Sequence, residues 1–136
     1  MTKADKQKLV AAAVDARTRA VAPFSNFHVG AALLTRTGEI ITGANVESAS
    51  YGLTCCAERI ALFKALTDGK RDFVAVAVAA RRDGGATPCG ACRQLLAEYA
   101  PSAVVLVVDS AQPARVRQYT MAKLLPAAFL TVPKGG

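Results

Sequence analysis

The sequence predicts an α/β fold: a three-layer α-β-α sandwich around a mixed, five-stranded sheet. Three observations carry that expectation. A hairpin pattern falls in the first third of the chain, later β-like runs alternate with helical segments, and the length suits one core. The 136 residues are 52% hydrophobic and 20% charged, a balance that supports a packed interior and argues against disorder. Residues 1–136 therefore read as a single domain, with no repeat, low-complexity tract or linker-like break in composition.

Thr2 and Asp5 have the spacing of a capping box, and a helix-compatible stretch follows to about Ala20. Leu9, Val10, Ala13, Val14 and Val21 recur on one face of it. Phe27–Thr35 and Glu39–Asn45 read as the two strands of a hairpin turning at Thr37-Gly38. A polar loop, Glu47–Thr54, leads to a helix over Cys56–Thr67, closed by Asp68-Gly69. Phe73–Ala80 is nearly all apolar, as a strand buried on both faces requires. After a loop over Arg81–Pro88, a helix runs from Cys89 to Tyr99 and stops before Pro101. Val104–Val108 is a second buried strand, Val116–Thr120 a weaker one, and Met121–Leu125 a short turn or helix.

The longest apolar runs are far shorter than the roughly 20 residues of a membrane span. No apolar stretch follows the charged N-terminus, so no secretory signal is expected and the expected location is the cytoplasm. A formal charge of +7 raises the question of nucleic acid. The basic residues are scattered, without an interleaved aromatic stripe, and no nucleic-acid partner is expected.

Cysteine is the specific feature. A cytoplasmic chain has little use for structural disulfides, so thiols at motif spacing suggest metal or redox chemistry. Cys89 and Cys92 sit three apart at a helix start, sharing a face where backbone N–H groups favour thiolates. Cys56 opens the other helix in the same way. Together they could bring three thiolates to one zinc ion and leave a fourth position for water, the arrangement of a catalytic site. Arg59 and Arg93 fall on the faces of Cys56 and Cys89, placed to hydrogen-bond sulfur and restore the metal's Lewis acidity. Glu58, in the first turn, can point into the same cavity as a proton shuttle. A lone cysteine is ordinarily a small buried hydrophobe, a reading that fits Cys55 well and Cys89 and Cys92 poorly; taken singly, each arginine could be solvated helix surface and Glu58 a partner of the helix dipole.

The ordered set Cys56-Ala57-Glu58 with Pro88-Cys89-Gly90-Ala91-Cys92-Arg93 resembles the zinc-dependent cytidine deaminases of the small homotetrameric type. The likeness extends to Phe27-His28-Val29-Gly30, Asn45-Val46-Glu47, Tyr51-Gly52-Leu53-Thr54 and Leu124-Leu125-Pro126 with Phe129. The resemblance implies that Cys56, Cys89 and Cys92 hold one Zn²⁺ per subunit and that Glu58 is the acid/base. It implies that Phe27 meets the pyrimidine ring, that Asn45 and Glu47 bind ribose, and that Ala57 contacts substrate. Ala49, Tyr51 and Phe129 would come from adjacent subunits, making active sites shared within a homotetramer. The strand-end spacing of Asn45 and Glu47 agrees, because i and i+2 side chains share a side.

The reaction so implied is hydrolytic deamination of free cytidine and deoxycytidine to uridine and deoxyuridine, with ammonia released, as in pyrimidine salvage. Glu58 would take a proton from water, pass one to N3, and then protonate the leaving amine. His28 is the only histidine and is followed by Val29-Gly30, so the H-x-E signature of many polynucleotide and nucleotide deaminases is absent. That favours a free nucleoside, with His28 at a strand surface or pocket rim. Cys55 is a spare thiol beside a ligand. Three other readings stay open: a blasticidin-type aminonucleoside deaminase, a thiol–disulfide oxidoreductase using Cys89-x-x-Cys92, and a structural zinc site on an RNA-binding module.

Overall fold

The computed structural model describes residues 1–133. Helix α1 (Lys3–Ala16) begins with the reciprocal cap its spacing requires. The Asp5 N–H donates to Thr2 Oγ1 at 3.1 Å, and the Thr2 N–H donates to Asp5 Oδ2 at 2.9 Å. Regular helix ends at Ala16 and tightens into a 3-10 turn over Arg17–Arg19. Leu9, Val10 and Ala13 are buried, as the periodicity requires. Val21 departs from it. It lies beyond the helix, 52% exposed, where extended backbone pairs with Asn45 and Glu47, so helical spacing no longer governs where it points.

Five strands form one sheet in the order β2-β1-β3-β4-β5. They are β1 (Val29–Thr35), β2 (Ile40–Ala44), β3 (Phe73–Ala80), β4 (Val104–Asp109) and β5 (Val116–Thr120). β1 is antiparallel to both β2 and β3, β3 and β4 are parallel, and β5 closes the far edge antiparallel. The mixed sheet is the one expected. Its parallel pair needs a crossover, which α3 (Gly90–Tyr99) supplies. Helix α2 (Ala57–Thr67) links β2 to β3 and ends at Gly69, whose φ of +79° suits a glycine after a helix. The four-residue α4 (Met121–Leu124) follows β5.

Alternation along the strands builds two cores. Leu33, Val76, Val78 and Val105 pack with Leu62 of α2 and Leu96 of α3. On the other face, Ala75, Ala77 and Ala79 lie with Leu9, Val10 and Ala13 of α1. Helices thus cover both faces and make three layers. Ala75, Ala77 and Ala79 of β3 leave room for α1; Val76 and Val78 fill the space under α2 and α3. Among the described residues no helix is long and apolar enough to cross a membrane.

One contact sets where α2 sits. A Cβ on Gly43 of β2 would lie 2.5 Å from Ala61 N and 2.6 Å from Ala57 O, both backbone atoms of α2. Only a hydrogen there lets strand and helix meet. Gly43→Ala should therefore cost about 1–3 kcal/mol, the usual range for overpacking, with thermal melting as the measure. A melting temperature equal to the parent's would show that the helix has room to retreat.

Candidate metal centre and active site

Strands β2 and β3 both run antiparallel to β1, so they deliver the chain to the same end of the sheet. The helices that follow them begin there side by side. Cys56 is the N-cap of α2, Cys89 the N-cap of α3, and Cys92 the third residue of α3. An N-cap side chain ordinarily accepts from a first-turn N–H. Neither cysteine does so. Their sulfurs turn to each other: Cys56 Sγ lies 3.8 Å from Cys89 Sγ, which lies 3.5 Å from Cys92 Sγ. All three fall within 4.8 Å of one another.

These separations are far longer than a disulfide's roughly 2.05 Å. They suit the edge of a tetrahedron with metal–sulfur bonds of about 2.3 Å, which is ~3.8 Å. A set of three thiolates suits a thiophilic ion such as zinc. Cys55 stands outside the cluster, and burial pushes its thiol up.

Charge at the cluster is unevenly held. A hydrogen bond from Cys92 brings the Cys56 thiol down to about 5, and the Arg59 guanidinium adds to the effect. Cys92, which donates that bond and is buried beside Glu58, is pushed far above the thiol range. Removing its proton takes a cation. Arg59 Nη2 lies 3.5 Å from Cys56 Sγ and 3.3 Å from the Thr54 carbonyl, as its position on α2 predicts. Its Nε is buried without a partner among the described residues. Glu58 is only 5% exposed. Burial pushes its carboxyl up to about 7 against the pull of its own backbone N–H, and the Cys56 thiolate adds to the rise.

Arg93 does not do what its spacing suggests. Its side chain donates to the Pro88 carbonyl, Thr87 Oγ1 and the Leu124 carbonyl, and not to a sulfur. The loop folds back over the start of α3 and offers oxygen acceptors, which bind a guanidinium more strongly than sulfur does.

Phe27, Asn45, Cys56, Ala57, Glu58 and Cys89 share the walls of one cavity of about 190 Å³. A neighbouring cleft of about 340 Å³ holds Glu47 and Tyr51 with Phe24 and Ser25. Thr54 lines both. Asn45 ties the strand start together: Oδ1 accepts from the Val29 N–H at 2.8 Å, and Nδ2 donates to the Phe27 carbonyl at 2.9 Å. Its second amide hydrogen has no acceptor among the described residues. The Glu47 carboxylate accepts from the Phe24 and Ser25 N–H groups, each at 3.0 Å, and from the Ser25 hydroxyl. These donors, that of Ser25 above all, hold its carboxyl below the usual range.

Ala49 is exposed, Tyr51 is 84% exposed and Phe129 64%, and Ala49 and Phe129 line neither cavity. His28 is half-buried, with its carbonyl accepting from Arg17 Nε. Val78 and Thr87 line the inner cavity although no motif in the sequence marks them, and Thr54, the last residue of the Tyr51-Gly52-Leu53-Thr54 match, lines it too. Position is the signal for the other two: Thr87 lies two residues before Cys89, and Val78 on the face of β3 that meets α2.

Two measurements test the ligand set. Cys56→Ser should lose zinc and Cys55→Ser keep it, by elemental analysis; the opposite pattern would reassign the ligand. Zinc uptake should release at least one proton, that of Cys92, so affinity falls about tenfold per pH unit on acidification from about pH 8 to 6. Calorimetry in two buffers of different ionisation enthalpy reads it, and no release would remove Cys92 from the set.

Comparison with known proteins agrees with this geometry. The cytidine and deoxycytidylate deaminase zinc-binding region matches residues 3–108. The chain is 50% identical over 125 residues to a cytidine deaminase of Halalkalibacterium halodurans, covering 92% of this chain and 94% of that one. It is 35% identical over 111 residues to a blasticidin-S deaminase of Bacillus cereus, covering 75% and 76%. The crystal structure of cytidine deaminase from Burkholderia pseudomallei superposes with a TM-score of 0.86 at 47% identity, covering 95% of this chain and all of that one. With the three-sulfur cluster and buried carboxylate already in place, the match over most of the chain assigns it: this protein belongs to the zinc-binding cytidine and deoxycytidylate deaminase family.

Proposed function

We propose that the chain is one catalytic domain that hydrolyses free cytidine and deoxycytidine to uridine and deoxyuridine, releasing ammonia in cytoplasmic pyrimidine salvage. The observation that carries this is the buried Glu58 carboxyl beside the three sulfurs, at the end of a small cavity walled by Phe27 and Val78. Zinc, held by Cys56, Cys89 and Cys92, would supply the Lewis acidity that lowers the pKa of a bound water from 15.7 to about 7.

The protein's part is positioning and proton transfer. Phe27 and Val78 offer an apolar slot for a pyrimidine, with Ala57 small enough to let the ring approach. Glu58, with its carboxyl near 7, is suited both to accept and to donate a proton at neutral pH. It takes one from the attacking water and gives one to N3; water oxygen bonds to C4. It then moves the proton of the new C4 hydroxyl to the amino nitrogen, the C4–N4 bond breaks, C4 becomes a carbonyl, and ammonia leaves. Arg59 offsets the negative charge of the sulfurs throughout.

The outer cleft suits the sugar. A carboxylate has about four acceptor positions; Glu47 has used three and can take a hydroxyl in the other. The free amide hydrogen of Asn45 can donate beside it. An anionic Glu47 also disfavours a phosphorylated substrate, which supports a nucleoside over a nucleotide. Ala49, Tyr51 and Phe129 would meet neighbouring subunits of a homotetramer; the exposure of Tyr51, Leu53 and Phe129 supports burial against further copies.

Incubation with cytidine, following ammonia and uridine with and without a zinc chelator, is the direct test. Blasticidin S run in parallel separates the second reading, which the likeness to the Bacillus cereus enzyme favours. Glu58→Gln should keep zinc and fold yet lose at least about 10²–10⁴-fold in kcat, the usual size of an acid/base contribution. A variant retaining most of its kcat would remove Glu58 from the proton path.

A further inference from the structure

The donors of Arg93 reach two separate pieces of chain. Nε donates to the Pro88 carbonyl at 2.7 Å and Nη2 to Thr87 Oγ1 at 3.0 Å. Nη1 donates to the Leu124 carbonyl, also at 3.0 Å. Thr87 lines the inner cavity, and Pro88 leads straight into Cys89. Leu124 closes α4, where a helix leaves its last carbonyls without intrahelical partners. The next residue of α3, Gln94, donates from Nε2 to the Phe129 carbonyl at 2.7 Å. Two successive side chains of α3 therefore hold both ends of the segment 124–129.

Between those anchors Ala127 has φ 53°, a left-handed conformation unfavourable for a residue with a Cβ. The segment is held in a shape it would not choose alone. A planar guanidinium is well matched to such an anchor, because its donors sit at fixed angles and can satisfy three acceptors at once. A lysine ammonium presents its donors from a single nitrogen, without that planar fork.

We infer that Arg93 is a positioning residue that fixes the Thr87–Cys89 wall of the substrate cavity to the C-terminal segment 124–129, so that substrate affinity depends on that segment being docked. The inference rests on the deaminase reading of the cavity. It assigns Arg93 a role through oxygen acceptors and not through the sulfurs.

Arg93→Met keeps the apolar stem and removes every donor. In the zinc-loaded protein it should retain the parent's zinc content and a kcat within about threefold, while KM for cytidine rises about tenfold, since small misplacements of a binding wall are costly. Hydrogen exchange over residues 121–130 should accelerate at least about tenfold as the anchor is lost. Arg93→Lys should fall between the two. Faster exchange with an unchanged KM would reduce Arg93 to a purely structural role and overturn the inference. A shifted sulfur-to-metal charge-transfer band in the cobalt-loaded variant would overturn it too, by returning Arg93 to the sulfurs.

Should Arg93→Met fail to fold, Gln94→Met removes the Phe129 anchor, along with an exposed bond to Glu98 on the same helix, and touches neither cavity. It should raise KM several-fold with faster exchange in 121–130; an unchanged KM there overturns the coupling. A parent protein that turns over no cytidine would instead defeat the deaminase reading, and exchange and zinc content, read without turnover, tell the two failures apart.

Discussion

Gathering three cysteine sulfurs within 4.8 Å, with Cys92 buried and Cys56 half-buried, concentrates negative charge at one point, and the neighbourhood is arranged around that constraint. Two of the sulfurs occupy N-cap positions, so each lies in the favourable field of a helix start. Arg59 adds a full positive charge against Cys56. The hydrogen bond from Cys92, with Arg59 adding to it, lowers the Cys56 thiol, while the Cys92 thiol and the Glu58 carboxyl are pushed up. A divalent cation held by the three sulfurs would favour their thiolate forms. Metal affinity and proton chemistry are therefore two expressions of the same charge imbalance.

The two glutamates of the site show how environment assigns roles to one side chain. Glu47 sits in an open cleft and receives bonds from Phe24 and Ser25, which keep it ionised and suited to accept from a hydroxyl. Glu58 is buried beside a thiolate and holds a proton more tightly. Opposite shifts in adjoining cavities give two glutamates different proton affinities without a change of side chain. Thr54, shared by both compartments, marks the boundary between them.

Backbone geometry, more than side-chain chemistry, delivers these groups. Because β2 and β3 run the same way, α2 and α3 start at one end of the sheet. The missing Cβ of Gly43 lets α2 lie directly on β2, which sets how far Cys56 and Glu58 project. On the α3 side, Arg93 spans the loop before Cys89 and the end of α4. The two helix starts are thus held by different means, one by a close backbone contact and the other by a fan of hydrogen bonds.

The strands β3 and β5, the cap of α1 and the two cysteine-led helices could be read from local pattern, because periodicity, capping and ligand spacing are short-range properties. The residue identities of the centre, Cys56, Glu58, Cys89 and Cys92, were legible for the same reason, together with the resemblance. Local pattern failed where a partner distant in the chain decided the outcome. Val21 pairs with the strand end at Asn45 instead of continuing a helical face. Arg93 has the spacing to reach Cys89, yet the carbonyl of Leu124, 31 residues on, competes for its donors and wins. Thr54 and Thr87 become cavity walls only when two loops meet at the sheet end. A hydrogen-bond donor chooses among all acceptors within reach, and folding, by bringing remote segments together, creates acceptors that no local window contains.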